Sequence, residues 1–287
     1  MQPLFDRAQI RRARARAARA PADFLPRWVA AGIEERLSEV NRAFTTPALV
    51  LPAPLPWPDP FVPALRAAGT ADPVVVADDE TLALTPGAHD LVLHALALHA
   101  ANDPVGQLVQ ARRALRPDGL LVAVLLGGQT LAELRACLAE AEVALTGGLS
   151  PRVAPMGEIR ELGALLGRAG LAMPVADSET LTVDYGDPRA LLRDLRAMGE
   201  TNALRGRRPL RRDVLAEAVA RYTAAFARPD GRVTARFEVV TLTGWAPAEG
   251  QPQPLRPGSA THRLAEALGT EELGETGTPR PPRLRDD

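Results

Sequence analysis

Two histidines at the end of a predicted strand are the side chains best suited to acid–base chemistry. His94 and His99 lie in "HDLVLHALALH" (89–99), a run whose apolar character favours a buried parallel strand. Open α/β sheets bind ligands at the carboxyl ends of such strands, where a histidine can accept a proton or hydrogen-bond a substrate. A histidine satisfied by the backbone at a strand end explains the same pattern equally well.

A second candidate group follows a predicted helix end in "MGETN". Glu200 and Asn202 in this segment are candidates for binding a substrate or partner. Capping of the helix end is the alternative. We predict that Gln129, Thr130 and Tyr185 border the same cleft, although Thr130 is more simply a helix N-cap. No residue is assigned a catalytic role.

Composition excludes several other kinds of site. The four histidines are scattered without metal-ligand spacing, and the single cysteine, Cys137, rules out an internal disulfide and a cysteine-rich zinc site. The net charge is −1, from 34 basic and 35 acidic residues, so no nucleic-acid partner is expected. No apolar run approaches the ~20 residues needed to span a bilayer. We expect a cytoplasmic protein that is not transmembrane.

The chain divides into three predicted parts. Residues 1–46 form an N-terminal helical arm that begins "MQPLFDRAQIRRARARAARA"; a solvated basic helix, a docking arm for an acidic protein or RNA surface, and a transit peptide all fit this stretch. Residues 47–246 form the main domain. Residues 247–287 are rich in proline, glycine and charge, which predicts a mostly flexible tail.

Strand and helix patterns alternate through the main domain. Short apolar runs at 47–51, 73–77 and 89–99 and in "LRPDGLLVAVLLGG" predict parallel strands, and "RVTARFEVVTLTGW" predicts a returning strand at the sheet edge. Helices separate them, among them "DPFVPALRAAG" after the first strand. Two amphipathic patterns over 187–227 predict a helical lid. The fold class is therefore α/β, Rossmann-like, with a parallel sheet and one antiparallel edge strand.

The loop after the first strand reads "LPAPLPWPDP" (51–60) and contains five prolines and no glycine. In doubly wound folds this loop holds a nucleotide cofactor, and glycines let its N–H groups approach the ligand. Proline fixes φ and has no N–H to offer. This loop is therefore poorly suited to the nucleotide-cofactor binding that its position suggests.

Several motifs together resemble one family. "HDLVLHALALH" followed by "LRPDGLLVAVL" is similar to class I S-adenosylmethionine-dependent methyltransferases. The stretches "FDRAQIRRARARAA", "HAAND", "GGQTLAELR", "RDLRAMGETNAL" and "ARFEVVTLTGWAPAEGQPQPLRPGSAT" resemble the complex I assembly factor branch of that fold. The resemblance extends to about Thr261 and implies action on an arginine of a respiratory complex I subunit by hydroxylation. It also includes His99, Asn102 and Asp103 as substrate or partner residues. If a peptide arginine is the partner, as the resemblance implies, the carboxylate of Glu200 can pair with its guanidinium in a bidentate manner, with Asn202 beside it.

The chain departs from the family at the cofactor loop. The family's alternate glycines fall on Pro52, Pro54 and Pro56, and its acidic residue falls on Val50. The segment up to His89 has room for one strand where the family has two, which shortens the sheet by about one strand. Three residues remain of the cofactor site, namely Asp78, Asp79 and His94. Binding of S-adenosylmethionine is therefore doubtful, and no other cofactor is implied.

These observations leave open whether the chain is an enzyme. The first hypothesis is a methyltransferase-like protein that acts in complex I assembly on a protein subunit, with standard cofactor binding lost or weak. The alternative is an active S-adenosylmethionine-dependent methyltransferase whose substrate is a protein arginine or a small carboxylic acid. A purely structural partner is a third possibility.

Overall fold

The computed structural model describes residues 2–57, 72–251 and 270. Contacts divide the chain into a compact unit, Met1–Glu249, and a second unit, Gly250–Asp287. All but three residues of the second unit lie outside the described residues, and so does most of the predicted tail. The helix predicted in "DPFVPALRAAG" also falls outside them. The domain boundaries remain a prediction.

Six strands form one sheet in the described part of the chain. Their order is β2-β1-β3-β4-β6-β5, and the first four are mutually parallel. β6 runs antiparallel to both of its neighbours. The strands are β1 Pro47–Leu51, β2 Val74–Ala77, β3 His89–Ala95, β4 Leu115–Leu126, β5 Ala172–Tyr185 and β6 Val233–Trp245.

Seven α-helices are described, and they flank the sheet. They are α1 Arg7–Ala17, α2 Phe24–Glu39, α3 Pro104–Ala114, α4 Ala132–Thr146, α5 Ile159–Arg168, α6 Pro188–Ala197 and α7 Arg212–Phe226. A short 3₁₀ helix, Leu98–Ala100, follows β3. No helix among the described residues is long and apolar enough to cross a membrane.

Alternate residues of the central strands pack into two different cores. In β4, Leu120, Val122 and Val124 face a core shared with α2, α4, α6 and α7. Leu121 and Ala123 face the other core, which is shared with α3 and α5. Because successive side chains of a strand point to opposite faces, a sheet buried on both sides needs continuous apolar strands, and β4 has this character.

This architecture confirms the Rossmann-like α/β fold class. The antiparallel strand β6 is second from the edge, and β5 forms the edge itself. Within the described parts of the segment 52–88, β2 is the sole strand. β5 was not predicted, because its side chains are half-buried or exposed along most of its length and show no clear alternation.

Local capping explains where two helices begin. Asp103 accepts a hydrogen bond from the backbone N–H of Gly106 at 2.8 Å, and Asp187 accepts one from that of Ala190 at 2.7 Å. Each is followed by proline at the first helical position, where the missing N–H costs no hydrogen bond. In both cases an aspartate followed by proline is the sequence signature of a helix start.

The basic helix α1 is packed against the domain along one face. Its N-cap is Asp6, whose side chain accepts from the N–H of Gln9. Ile10, Ala13 and Ala17 are buried. Phe5, just before the helix, forms an isolated β-bridge with Leu204. Helix α1 is therefore not the solvated basic helix that the sequence suggested.

Candidate functional site

A large cavity lies at the carboxyl edge of the sheet. Its volume is about 960 Å³, and its lining includes Leu126 at the end of β4 and His99 just after β3. Helix α6 supplies five lining residues, namely Arg189, Leu192, Arg193, Leu195 and Arg196, while α7 packs mainly against α4. The site thus occupies the edge where open α/β sheets bind ligands.

The cavity has an apolar interior and a basic border. Leu134, Met156 and Phe237 are among its apolar lining residues. Eight arginines and one carboxylate, that of Glu200, complete the charged lining. Three of the arginines are paired within the chain: Arg14 with Asp78, Arg152 with Glu142 and Arg207 with Asp6.

The other five lining arginines form no ion pair with any described residue. They come from three segments, namely α1, the lid helix α6 and the loop before α7. All five are exposed: Arg16, Arg189, Arg193, Arg196 and Arg208. The cavity mouth therefore carries an excess of positive charge.

Glu200 is paired inside the cavity with a residue of the sheet edge. Its Oε1 lies 3.5 Å from His99 Nε2, and the His99 side chain is almost completely buried. Burial works to raise the pKa of Glu200, but the adjacent His99 and Arg14 outweigh it, so this pKa lies below its ordinary value. His99 Nε2 has no hydrogen-bond partner among the described residues, so the carboxylate that was predicted to pair with a peptide arginine lies close to His99 without a hydrogen bond to it.

The acid at the end of β2 is bound by two arginines of α1. Arg14 Nη1 donates to both carboxylate oxygens of Asp78, at 2.7 and 2.8 Å. Arg7 Nη2 lies 3.0 Å from Asp78 Oδ2 and also donates to the Asp78 carbonyl. The Arg14 and Asp78 side chains are 1% and 3% exposed, so this is a buried ion pair. Asp79, by contrast, forms an exposed pair with Arg11 at 2.7 Å.

The proline loop packs beside this ion pair. Pro52, Leu55 and Pro56 line a small cavity together with His99 and Glu200. Across from the loop, Gly199 adopts a φ of +78°, and a Cβ there would lie 2.9 Å from Arg14 Cγ and 3.4 Å from Leu55 Cδ1. Only glycine fits this close approach without displacing Arg14.

His94 lies away from both cavities, in the middle of the sheet. It is fully buried, and its Nε2 lies 2.8 Å from Gln107 Oε1. Burial lowers its pKa, so the ring is held neutral. The hydrogen-bond partner of His94 is thus a side chain of α3, whereas the sequence suggested a backbone group.

Asn102 and Asp103 form hydrogen bonds that stabilise the fold. The Asn102 side chain accepts from the N–H of Phe5 at 2.8 Å and donates to the Phe5 carbonyl at 3.2 Å, which fastens the segment before α1. Asp103 caps α3. Neither residue lines the cavities described above, so a role in binding a substrate or partner stays a prediction for both.

The remaining predicted residues separate into two groups. Asn202 lines the large cavity, where it donates to the carbonyl of Pro151 at 3.1 Å. Gln129, Thr130 and Tyr185 line neither described cavity. Burial and the neighbouring Asp194 carboxylate raise the pKa of Tyr185.

Thr130 is not the N-cap of α4, because that position is held by Leu131 in a left-handed conformation. The Thr130 hydroxyl donates to the carbonyl of Glu238 at 3.0 Å and accepts from the N–H of Glu238. Thr130 thus ties the loop after β4 to β6, and the capping prediction was wrong.

The arginines are the site residues that sequence analysis missed. A signal was present in "DPRALLRDLRAMG", where arginines recur at 189, 193 and 196, a spacing that places them on one helix face. Whether that face borders a cavity depends on tertiary packing. Among the described residues, no group of three or more His, Cys, Asp and Glu side chains could hold a metal ion.

Comparisons with known proteins find similarity to methyltransferase-fold proteins. A family profile described as a methyltransferase domain matches residues 59–123. Arginine-hydroxylase NDUFAF5, mitochondrial, of Danio rerio is 38% identical over 193 residues, which are 67% of this chain and 60% of the relative. Malonyl-[acyl-carrier protein] O-methyltransferase of Laribacter hongkongensis is 38% identical over 186 residues, 64% of this chain and 60% of the relative.

Among solved structures, a Bacillus halodurans protein described as a methyltransferase is 14% identical, with a TM-score of 0.48. The alignment covers 76% of this chain and 98% of that one.

The fold and the family match define a class I S-adenosylmethionine-dependent methyltransferase fold. Within that fold the chain is similar to the NDUFAF5 relatives, at 37–38% identity. The chain spans about 60% of the length of the curated relatives it matches. Their activities, substrates and partners are therefore not transferred with the fold.

Proposed function

We propose that this chain is a methyltransferase-like protein that acts in respiratory complex I assembly on a protein subunit, with standard S-adenosylmethionine binding lost or weak. The observation that carries the proposal is the buried Arg14–Asp78 ion pair. Arg14 occupies Asp78, which the family resemblance assigns, together with Asp79, to what remains of the cofactor site.

The residues around this ion pair do not fit the cofactor. Pro52, Pro54 and Pro56 have no N–H to donate where the family has glycines. Asp78 already accepts hydrogen bonds from Arg7 and Arg14, so a ligand would have to displace a buried guanidinium. Losing two or three directed hydrogen bonds, at ~1.5–3 kcal/mol each for charged groups, weakens binding by several powers of ten.

Isothermal titration calorimetry tests the cofactor part of the proposal. We expect S-adenosylmethionine to bind no more tightly than about millimolar, because most directed contacts are missing. A bound acyl carrier or peptide substrate is not required for this measurement. Micromolar binding by the wild-type protein would overturn this part of the proposal.

The assembly role rests on similarity to the NDUFAF5 relatives, and a genetic experiment tests it. Deleting the gene in its source organism should reduce fully assembled complex I, measured as NADH dehydrogenase activity in native gels. The wild-type gene should restore the activity. Normal complex I in the deletion strain would refute the assembly role, whatever the cofactor result.

An active methyltransferase is the second candidate. The malonyl-[acyl-carrier protein] O-methyltransferase relative and the arginine-lined cavity favour a substrate with a carboxylate, since arginine pairs with carboxylates in bidentate geometry. This candidate requires micromolar cofactor binding, so the same titration separates the two functions. The cytoplasmic location expected from the sequence also stays a prediction, since the NDUFAF5 relatives are named as mitochondrial.

A further inference from the structure

The charge around the large cavity is opposite to what an arginine-bearing ligand requires. Eight arginines and a single carboxylate line it, and that carboxylate faces His99. Every basic residue in the sequence, apart from histidine, is arginine, so the choice of arginine over lysine means nothing here. The clustering of arginines around one cavity is informative, because the chain as a whole carries a net charge of only −1.

Unsatisfied donors in the cavity wall add a second, independent observation. Arg14 is almost fully buried, and its Nε and Nη2 have no hydrogen-bond partner among the described residues. The Thr201 hydroxyl is likewise without one. Leaving buried donors unpaired is costly. These donors are not exposed to the cavity, so an anionic ligand removes that cost once a small side-chain rearrangement of the wall brings them into contact.

The spread of the arginines indicates the size of the anion. Arg189, Arg193 and Arg196 recur at four- and three-residue intervals along α6, so they form a row about 10 Å long on one helix face. Arg16 and Arg208 extend the charge to other elements. A single carboxylate or phosphate group can pair with one or two of these arginines, whereas several carboxylates along a peptide match the whole row.

The interior adds a requirement for apolar side chains. Leu126, Leu134 and Phe237 line the cavity behind the arginines. Burying apolar groups against them supplies binding free energy that charge pairs at an exposed rim do not.

We propose that this cavity binds an acidic segment of a partner protein, with an apolar side chain in the interior, a carboxylate near Arg14 and Thr201, and further carboxylates along the α6 arginine row. The proposal deepens the proposed function, because it assumes that the chain acts on a protein. It assigns to that partner an acidic, amphipathic binding segment.

Fluorescence anisotropy with a labelled synthetic peptide tests the proposal. The probe is a fluorescein-labelled peptide built from glutamate and leucine, and its control replaces each glutamate with glutamine. We expect the acidic peptide to bind and the glutamine peptide to bind at least about tenfold more weakly, with affinity falling as salt is added. Equal binding of the two peptides, or none of the acidic one, would overturn the proposal.

Paired variants locate the binding site. The combination Arg189→Gln, Arg193→Gln and Arg196→Gln should weaken peptide binding by about tenfold or more, since it removes three exposed charge pairs. The matched control Arg116→Gln, Arg160→Gln and Arg168→Gln changes three exposed arginines outside the cavity and should leave binding within about twofold. Equal losses in both variants would show a nonspecific charge effect and refute the site.

Two further probes separate other ligand classes. Phosphatidylglycerol vesicles or decanoate that bind through the α6 arginines while the acidic peptide does not would overturn the proposal in favour of a membrane or a small amphiphile. Failure of peptide binding together with loss of complex I in the deletion strain would refute this inference alone. Peptide binding with normal complex I would refute the assembly role alone.

Discussion

The buried Arg14–Asp78 ion pair affects both the stability of the fold and the candidate cofactor site. Two charges removed from water stabilise the fold only while both are present, because an uncompensated buried charge is expensive. The pair also joins α1 to the end of β2, two segments far apart in the chain. Its loss should therefore affect the stability of the domain as well as the candidate cofactor site.

The substitution Asp78→Asn should lower the free energy of unfolding by about 3–5 kcal/mol, because it leaves the buried Arg14 guanidinium without a counter-charge. Urea denaturation followed by circular dichroism measures the change. Asp79→Asn is the matched control: its pair with Arg11 is exposed, so it should cost at most about 1 kcal/mol. Equal losses for the two variants would contradict the importance of burial.

Glu142 should make stability depend on pH in the acid range. The hydrogen bond from Arg152 lowers the pKa of Glu142, against the opposing effect of burial. A carboxyl whose pKa is lowered by folding stabilises the fold above its unfolded pKa of about 4.3, and the contribution disappears as pH falls through the folded value.

Glu142→Gln should accordingly be less stable than wild type near neutral pH, and the difference should shrink on acidification below about pH 4.3. Thermal unfolding over a pH series gives both curves. Glu140→Gln alters a glutamate of the same helix whose side chain is exposed, so its curve should track that of wild type. A constant gap between Glu142→Gln and wild type at all pH values would contradict the assignment.

At the level of elements, the sequence predicts those features that depend only on residues close together in the chain. The caps at Asp103 and Asp187 were predictable because the side chain, the proline and the start of the helix lie within four residues. Strand β5 was not, because an exposed edge strand lacks the apolar pattern that marks β3 and β4. The contact between Glu200 and His99 joins segments about one hundred residues apart, and only tertiary packing brings them together.

The proline loop after β1 yields a prediction about this element alone. Replacing Pro52, Pro54 and Pro56 with glycine should not restore S-adenosylmethionine binding, since Asp78 remains occupied by Arg14 and Arg7. The expected effect is lower stability, because glycine gives the unfolded chain more conformational freedom. Calorimetry and urea denaturation of the triple variant measure both results. Micromolar binding by this variant would show that the prolines alone exclude the cofactor.

On the scale of the whole molecule, the N-terminal segment belongs to the folded unit. Phe5, Ile10 and Ala17 are buried, and Asn102 holds the backbone of Phe5 by two hydrogen bonds. Composition alone favoured a basic helix in solvent or a docking arm, because arginines dominate its sequence. The few apolar residues between them determine where it lies.

Deleting residues 1–18 should destabilise the domain by several kcal/mol, since burying Phe5 and Ile10 is worth about 1.5–3 kcal/mol each. The midpoint of urea unfolding should fall accordingly. Arg11→Gln with Arg12→Gln changes exposed arginines of the same helix and should leave the midpoint close to that of wild type. An unchanged midpoint in the deleted protein would mean that α1 is dispensable for folding.

The Arg14 guanidinium acts toward Asp78 as a ligand covalently tethered to its own receptor. A protein that needs a free ligand gains stability only as the concentration of that ligand rises above its dissociation constant. A tethered group has a high, fixed effective concentration, so the contact between α1 and the end of β2 forms without any free ligand. Micromolar S-adenosylmethionine should accordingly leave the melting temperature of this protein unchanged.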